Sequence, residues 1–198
     1  MKFNHNKDNV CQRYLQTVYE YAHIRSEESI KQNNIPETDG EILFPSVNKL
    51  LEIMALKADD SFIDLGSGAG KVVAQVFLQS GVKEAYGIEL LPALYQQAVV
   101  AAEKIQQDLS AFYQEGRKLT FLQGDFLEMP LPQATVVLIC STCFSQPMLE
   151  SLGYIINGMP SVRLILTLRP ISTLNRLRFK KTVRIECSWD SALCYIYC

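Results

Sequence analysis

One short segment constrains this chain more than any other: Asp64-Leu65-Gly66-Ser67-Gly68-Ala69-Gly70. It follows the apolar pair Phe62-Ile63 and runs into Lys71-Val72-Val73-Ala74-Gln75-Val76-Phe77-Leu78. A short buried strand, a turn with glycine at every second position and then a helix form the opening unit of an open α/β sheet. In such sheets ligands bind beyond the carboxyl ends of the strands, where the strand order reverses. The three glycines have separate physical uses there: a tight turn, a backbone that a ligand can approach, and close packing of the helix.

The rest of the chain repeats this alternation. Ala85-Tyr86-Gly87-Ile88-Glu89 reads as a second strand, and Pro92 suits the first turn of a long helix reaching about Tyr113. Leu119 to Leu122, Thr135 to Cys140 and Val162 to Leu168 read as further strands, with a helix over Pro147 to Ile156. Strands separated by helices of this length imply right-handed crossovers and a parallel sheet covered on both faces. The tail is different. Thr182 to Cys187 and Leu193 to Tyr197 are joined by Ser188-Trp189-Asp190-Ser191 with no helix between them, so they should pair antiparallel.

Ahead of the sheet, Asn9 to Gln32 reads as a helix with Val10, Tyr14, Val18, Tyr21 and Ala22 on one face and Glu20, Glu27, Glu28 and Lys31 on the others. Pro36 to Glu41 has the composition of a loop, and Ser46 is a plausible N-cap for a second helix with Val47, Leu50, Leu51 and Met54 inward. The expected division is an N-terminal helical segment with a covering loop over residues 1–45 and the sheet domain over residues 46–198.

Composition limits the alternatives. At 198 residues, 48% hydrophobic and 20% charged, the chain suits one domain with its own core. A formal net charge of −2 gives no general attraction to nucleic acid or membrane, and no apolar run nears the ~18 residues of a membrane span. No export signal is visible, which points to the cytoplasm and to six reduced cysteines. Cys140-x-x-Cys143 has metal or redox spacing but lacks a second pair; buried structural thiols are the favoured reading, and no metal site is expected. From Arg163 to Arg184 lie Arg163, Arg169, Arg176, Arg178, Lys180, Lys181 and Arg184 without an acid. A solvated hairpin face is favoured there over a contact surface for an acidic partner. His5 and His23 are read as surface residues.

Three acids narrow the ligand. Asp64 stands two positions before the first glycine, where a dinucleotide-binding turn keeps negative charge away from a pyrophosphate; it suits a ligand with a cationic end and no phosphate. Glu89 closes the second strand, where a carboxylate can take both hydroxyls of a ribose. After the third strand, Asp125 can accept from an adenine amino group while Phe126 packs on the ring. Each acid alone could simply cap a loop; three at successive strand ends around a glycine turn favour the ligand. A P-loop is excluded, because Gly70-Lys71 is followed by Val72 and not by Ser or Thr.

With these residues in view, the chain resembles the class I S-adenosylmethionine-dependent methyltransferases, and among them the non-SET histone lysine methyltransferases of the disruptor-of-telomeric-silencing family. Asp64-Leu-Gly-Ser-Gly with its Val-rich helix, Tyr86-Gly87-Ile88-Glu89 and Gly124-Asp125-Phe126-Leu127 carry the likeness, and Asp39-Gly40-Glu41 resembles the family's cofactor-covering loop. Arg169-Pro170, Leu174-Asn175 and Ser188-Trp189 are similar to its C-terminal stretch. The resemblance implies a Rossmann-like seven-stranded, mainly parallel sheet with an antiparallel last strand, helices on both faces and extra N-terminal helices.

The resemblance also implies S-adenosylmethionine as cofactor, held by Glu41, Asp64, Gly66, Ser67, Gly68, Gly70, Lys71, Glu89, Leu90, Asp125, Phe126 and Cys140, and methyl transfer to a protein lysine. A small-molecule or RNA methyltransferase on the same module, or a cofactor-binding protein with weak or lost catalysis, are the alternatives. The third is motivated by Cys140-Ser141-Thr142, which stands where the family has Asn-Asn-Phe or Asn-Ser-Thr. Phe144, Trp189 and Tyr195 are candidates to line an apolar channel for the accepting amine, with ordinary core packing as the competing reading, and Ser141 is the nearest polar group. Nothing in the sequence indicates an oligomeric state.

Overall fold

The computed structural model describes residues 5–29 and 40–198, with side chains from residue 7 to 26 and from 40 onward. Its elements are α1 (His5–Ser29), α2 (Phe44–Met54), β1 (Ser61–Leu65), α3 (Lys71–Gln79), β2 (Glu84–Glu89) and α4 (Pro92–Asp108). A 3₁₀ segment (Ser110–Gly116) follows, then β3 (Lys118–Gln123), β4 (Val136–Ile139), α5 (Gln146–Asn157), β5 (Leu164–Thr167), β6 (Phe179–Glu186) and β7 (Ser191–Tyr197). The strands form one seven-stranded sheet in the order β3-β2-β1-β4-β5-β7-β6. The first five are parallel neighbours, while β7 runs antiparallel between β5 and β6. The order reverses between β1 and β4, so the cleft beyond their carboxyl ends is where such a sheet binds ligands.

Burial explains why β4 and β5 read as unbroken apolar runs. Val136 and Leu138 face one core with α1 to α4, and Val137 and Ile139 face a second core with Leu149, Leu152 and Ile156 of α5. With both faces covered, no position along these strands favours a polar residue. Thr167, at the end of β5, is the one exception in the two strands, and it is fully buried.

Three sequence expectations need correction. In α1 the inward residues are Leu15, Val18, Tyr19 and Ala22, whereas Val10 and Tyr21 are exposed, because the stripe that meets α3 and α4 is displaced around the helix. The helix also starts earlier, at or before His5, and is described as far as Ser29; the rest of its expected extent to Gln32, Lys31 included, and residues 36–39 of the expected loop lie outside the described residues. Ser46 does not cap α2. Leu43 precedes the helix, and the buried Ser46 hydroxyl accepts from Glu186 N at 2.7 Å. Lys49 Nζ donates to Arg184 O and Leu43 N to Glu186 O, so the start of α2 covers the outer edge of β6. Finally, α4 ends at Asp108 and not near Tyr113, and the chain turns so that the Tyr113 ring reaches Phe77, centroids 5.0 Å apart.

Arg163 is spoken for structurally. It makes a two-pronged pair with Asp60 at 2.6 and 3.0 Å and also donates to Met54 O. Arg169 and Arg176 bond the carbonyls of Phe144 and Met159. The exposed remainder, Arg178, Lys180, Lys181 and Arg184, sits on or beside the edge strand β6, where cations discourage strand-to-strand aggregation. Their exposure is compatible with the solvated hairpin face and with a contact surface alike.

Candidate functional site

The glycine turn is bolted to the neighbouring strand. Gly66 N and Ser67 N both donate to Ile88 O, at 2.9 and 3.0 Å, and Gly70 N donates back to Ser67 O. Gly70 has φ +82°, and a Cβ there would lie 2.4 Å from the Phe121 ring, so only glycine lets α3 sit this close to β3. Gly68 has φ +55° with nothing within 4 Å of its Cβ direction. The backbone is therefore bare toward open space at Gly68 and tightly packed at Gly70, as a cradle with a packed floor requires.

The acids surround this cradle at the ends of three adjacent strands. Asp64 is only 3% exposed, and its Oδ1 has no hydrogen-bond partner. Burial first, then the nearby Glu89, pushes its carboxyl well above the usual carboxylate range. Glu89, also buried, accepts from Gly68 N through Oε2 and from Leu91 N through Oε1, both at 2.8 Å. Asp125 Oδ1 accepts from Leu127 N at 2.8 Å, a loop-capping bond that leaves its second oxygen without a partner among the described residues. Capping and ligand binding are thus compatible at Glu89 and Asp125, since a carboxylate offers about four acceptor positions. Ser67 Oγ is a second buried polar atom without a partner in the turn.

The cover comes from both ends of the chain. Glu41 pairs with Lys71 at 2.7 Å, and the Lys71 ammonium stands 5.7 Å from the centroid of the Tyr19 ring on α1. Glu41 N donates to Ser188 Oγ, Ser188 N donates to Glu41 O, and Ile42 bridges to Cys187. The Trp189 ring fills the space a side chain at Gly40 would need: a Cβ there would lie 1.9 Å from Cε3. Asp39, the first residue of this motif, lies outside the described residues.

Several candidates sit differently from expectation. Ser141 is not presented to the cleft; it is fully buried and shares a 3.0 Å hydroxyl contact with Thr167. Phe144 is half-buried against the Phe126 ring, centroids 5.5 Å apart, and its Cζ would meet a Gly66 Cβ at 3.1 Å. It therefore belongs to the wall beside Phe126. Trp189, 43% exposed, is the strut under Gly40 and not an enclosed channel wall. Tyr195 is half-buried beside Phe179, 6.3 Å between centroids, which is core packing at the sheet end. Leu90 is exposed.

Cys140 lies at the end of β4, half-buried, its thiol pushed up to about 12 by burial first and then by Asp64 and two further cysteines. Cys143 is exposed, so the buried-thiol reading of that pair holds in part at Cys140 and not at Cys143. Among the described residues no group of three potential metal ligands occurs. Sequence reasoning missed Thr167 and Tyr19. A threonine closing the apolar run Leu164-Ile165-Leu166 was the available signal for the first; for Tyr19 there was none beyond its place in a helix.

Comparison with known proteins bears on this geometry. The family described as histone methylation protein DOT1 matches residues 17–187. Curated relatives include a histone-lysine N-methyltransferase, H3 lysine-79 specific, of Mycosarcoma maydis, 32% identical over 140 residues, covering 66% of this chain and 17% of the relative. The Drosophila melanogaster protein of the same name is 31% identical over 130 residues, 64% of this chain and 7% of its own length. The chain spans about a quarter or less of most curated relatives it matches. Among solved structures, an RNA methyltransferase from Salinibacter ruber with S-adenosyl-L-homocysteine superposes with TM-score 0.54 at 22% identity, over 77% of this chain and 89% of that one. Magnesium protoporphyrin IX methyltransferase from Synechocystis PCC 6803 with bound SAM gives 0.59 at 12% identity, over 92% and 95%. At these identities the structural likeness speaks to the fold.

Proposed function

Because this chain belongs to the DOT1 histone methylation family, we propose that it is an S-adenosylmethionine-dependent methyltransferase whose acceptor is a lysine side chain of a protein. One observation carries the reading: Asp64, Glu89 and Asp125 close three neighbouring parallel strands around a glycine turn that is open only at Gly68. Sugar hydroxyls, the adenine amino group and a cationic end each meet an acceptor or an opposite charge there, whereas a pyrophosphate would face like charge.

The buried, unpartnered Asp64 Oδ1 and the open face of Gly68 fit such a cofactor. Glu89 would take the ribose hydroxyls with the lone pairs its two backbone bonds leave over. Asp125 would accept from the adenine amino group, with Phe126 and Phe144 against the ring. Lys71 and Glu41 offer opposite charges to the carboxylate and ammonium of the methionyl end. When bound, S-adenosylmethionine supplies a methyl on a sulfonium, open to in-line displacement. The chain's own task is then alignment and exclusion of water. Cys140 stays a neutral thiol at working pH and presents no competing nucleophile beside Asp64. Apolar surroundings favour the neutral amine of an incoming lysine over its ammonium form.

Cys140 also favours a second reading, a cofactor-binding protein with weak transfer, because a thiol lacks the amide donor and acceptor that could orient an amine. Incubation with methyl-labelled cofactor and a native lysate or histone octamers separates these readings. Label on a protein lysine supports the first. Ribonuclease-sensitive label points to RNA as acceptor, and cofactor binding without transfer supports the second. Failure to bind S-adenosylhomocysteine at all removes both.

A further inference from the structure

A closed circuit of hydrogen bonds lies just beyond β4 and β5. Thr167 Oγ1 donates to Arg169 O at 2.9 Å, so in its 3.0 Å contact with Ser141 the Ser141 hydroxyl is the donor. The Arg169 guanidinium donates to Phe144 O, and Phe144 N donates to Ser141 O at 3.1 Å. Leu168 N to Ile139 O, 3.2 Å, continues the β4–β5 pairing into the same region. Both hydroxyls are fully buried, which keeps water from competing for them. The circuit ties the loop after β4 to the loop after β5, and the side chain at its outer end is Phe144, packed on Phe126 and over Gly66.

Without this tie the segment from Thr142 to Ser145 would be a short surface turn, with Cys143 and Ser145 exposed. An aromatic ring on such a turn would have to be ordered by the ligand, at a cost in affinity. We propose that Arg169 is a positioning residue of the cofactor pocket: through Thr167, Ser141 and the Phe144 carbonyl it fixes Phe144 as the wall facing the adenine ring. This rests on the reading of the cleft as an S-adenosylmethionine site. Arg169 itself touches no ligand in this scheme; it acts by pre-forming the wall.

Calorimetry with two ligands tests it, S-adenosylhomocysteine and 5′-methylthioadenosine, the second lacking the amino-acid end. Arg169→Met should raise both dissociation constants by the same factor, about 10-fold, because the wall serves the adenine that the two ligands share. Lys71→Met should weaken S-adenosylhomocysteine alone. Arg169→Lys, which keeps a cationic donor, should recover part of the loss, and the cofactor KM should rise in Arg169→Met with kcat nearly unchanged. If Arg169→Met does not fold, Thr167→Val removes the relay at constant shape and carries the same expectation. Unchanged affinity in folded variants overturns the proposal, even if Tm falls, and so does a loss confined to S-adenosylhomocysteine. A wild-type protein that binds neither ligand overturns the reading of the cleft as well, so the two failures are distinct.

Discussion

Replacing Glu89 with Gln tests the centre of the site with the smallest change in shape. The carboxylate accepts two backbone N–H groups at 2.8 Å, one on each oxygen, from a side chain that is 7% exposed in the residue as a whole. An amide has one oxygen, so one of the two N–H groups would face an NH₂ donor and the other would lose a charged acceptor. Bonds to charged groups are worth about 1.5–3 kcal/mol and neutral ones about 1. Gly68 as a residue is only partly buried, so we expect a stability loss of about 1–2 kcal/mol, which at this chain length lowers Tm by roughly 2–8 °C.

The effect on ligand binding is larger, because a ribose presents two hydroxyl donors to a group that can now accept only one. Calorimetric affinity for S-adenosylhomocysteine should fall about 10- to 100-fold. The 2′-deoxyribose analogue supplies the control. Wild type should discriminate against it, and Glu89→Gln should discriminate much less, since hydroxyl and carboxylate form one coupled pair. Equal affinity in the two proteins, or equal discrimination, would refute the assignment of Glu89 to the sugar.

Other perturbations separate floor from cradle and charge from packing. Gly70→Ala places a Cβ 2.4 Å from Phe121 at φ +82° and should destabilise by about 3 kcal/mol or more in urea melts, whereas Gly68→Ala should cost only about 1 kcal/mol yet weaken S-adenosylhomocysteine by filling the open face. Burial and Glu89 raise the Asp64 carboxyl, and a cationic ligand end would lower it again, so affinity should rise with pH and binding should release protons measurable across buffers, an effect lost in Asp64→Asn. At Asp60, burial alone would raise the carboxyl, but bonds from Arg163, Thr135 and Lys57 N outweigh it and lower it to about 2. Its stabilisation is therefore present above the unfolded value near ~4 and lost as pH falls toward about 2. With Arg163 40% exposed, screening limits this to about 1 kcal/mol in acid titrations of wild type against Asp60→Asn. Cys140→Asn should keep or raise methyl transfer in the labelling assay; a folded variant with sharply lower turnover would show that the thiol is needed there.

The glycine turn, the three acids and the antiparallel tail were legible because each is written within a few residues: strand, turn and helix chemistry are local. What remained hidden depends on partners far away in sequence. Ser141 looked like a free polar group until Thr167, 26 positions on, was seen to bury it. Trp189 looked like a channel wall, yet its ring is committed to Gly40, whose lack of a side chain carries meaning only once the two are opposed. In α1, a three- and four-residue rhythm was visible, but which of two overlapping stripes faces inward is decided by α3 and α4.

These distant partnerships also explain why the pocket cannot be the work of the glycine turn alone. The central strands supply Asp64, Glu89 and Asp125, but Glu41 reaches Lys71 only because its backbone is held by Ser188 on the β6–β7 turn and its neighbour Gly40 rests on Trp189. That turn is in turn placed by β7, which lies between β5 and β6, and by α2, whose Ser46 and Lys49 secure the far edge of β6. A change that loosens the hairpin, though well separated in sequence from every ligand-facing acid, would therefore release the cover over the methionyl end while leaving the adenosine end intact. On the proposed reading the two ends of one ligand would be held by physically separate parts of the fold, and affinity for fragments of the cofactor would distinguish damage to one from damage to the other.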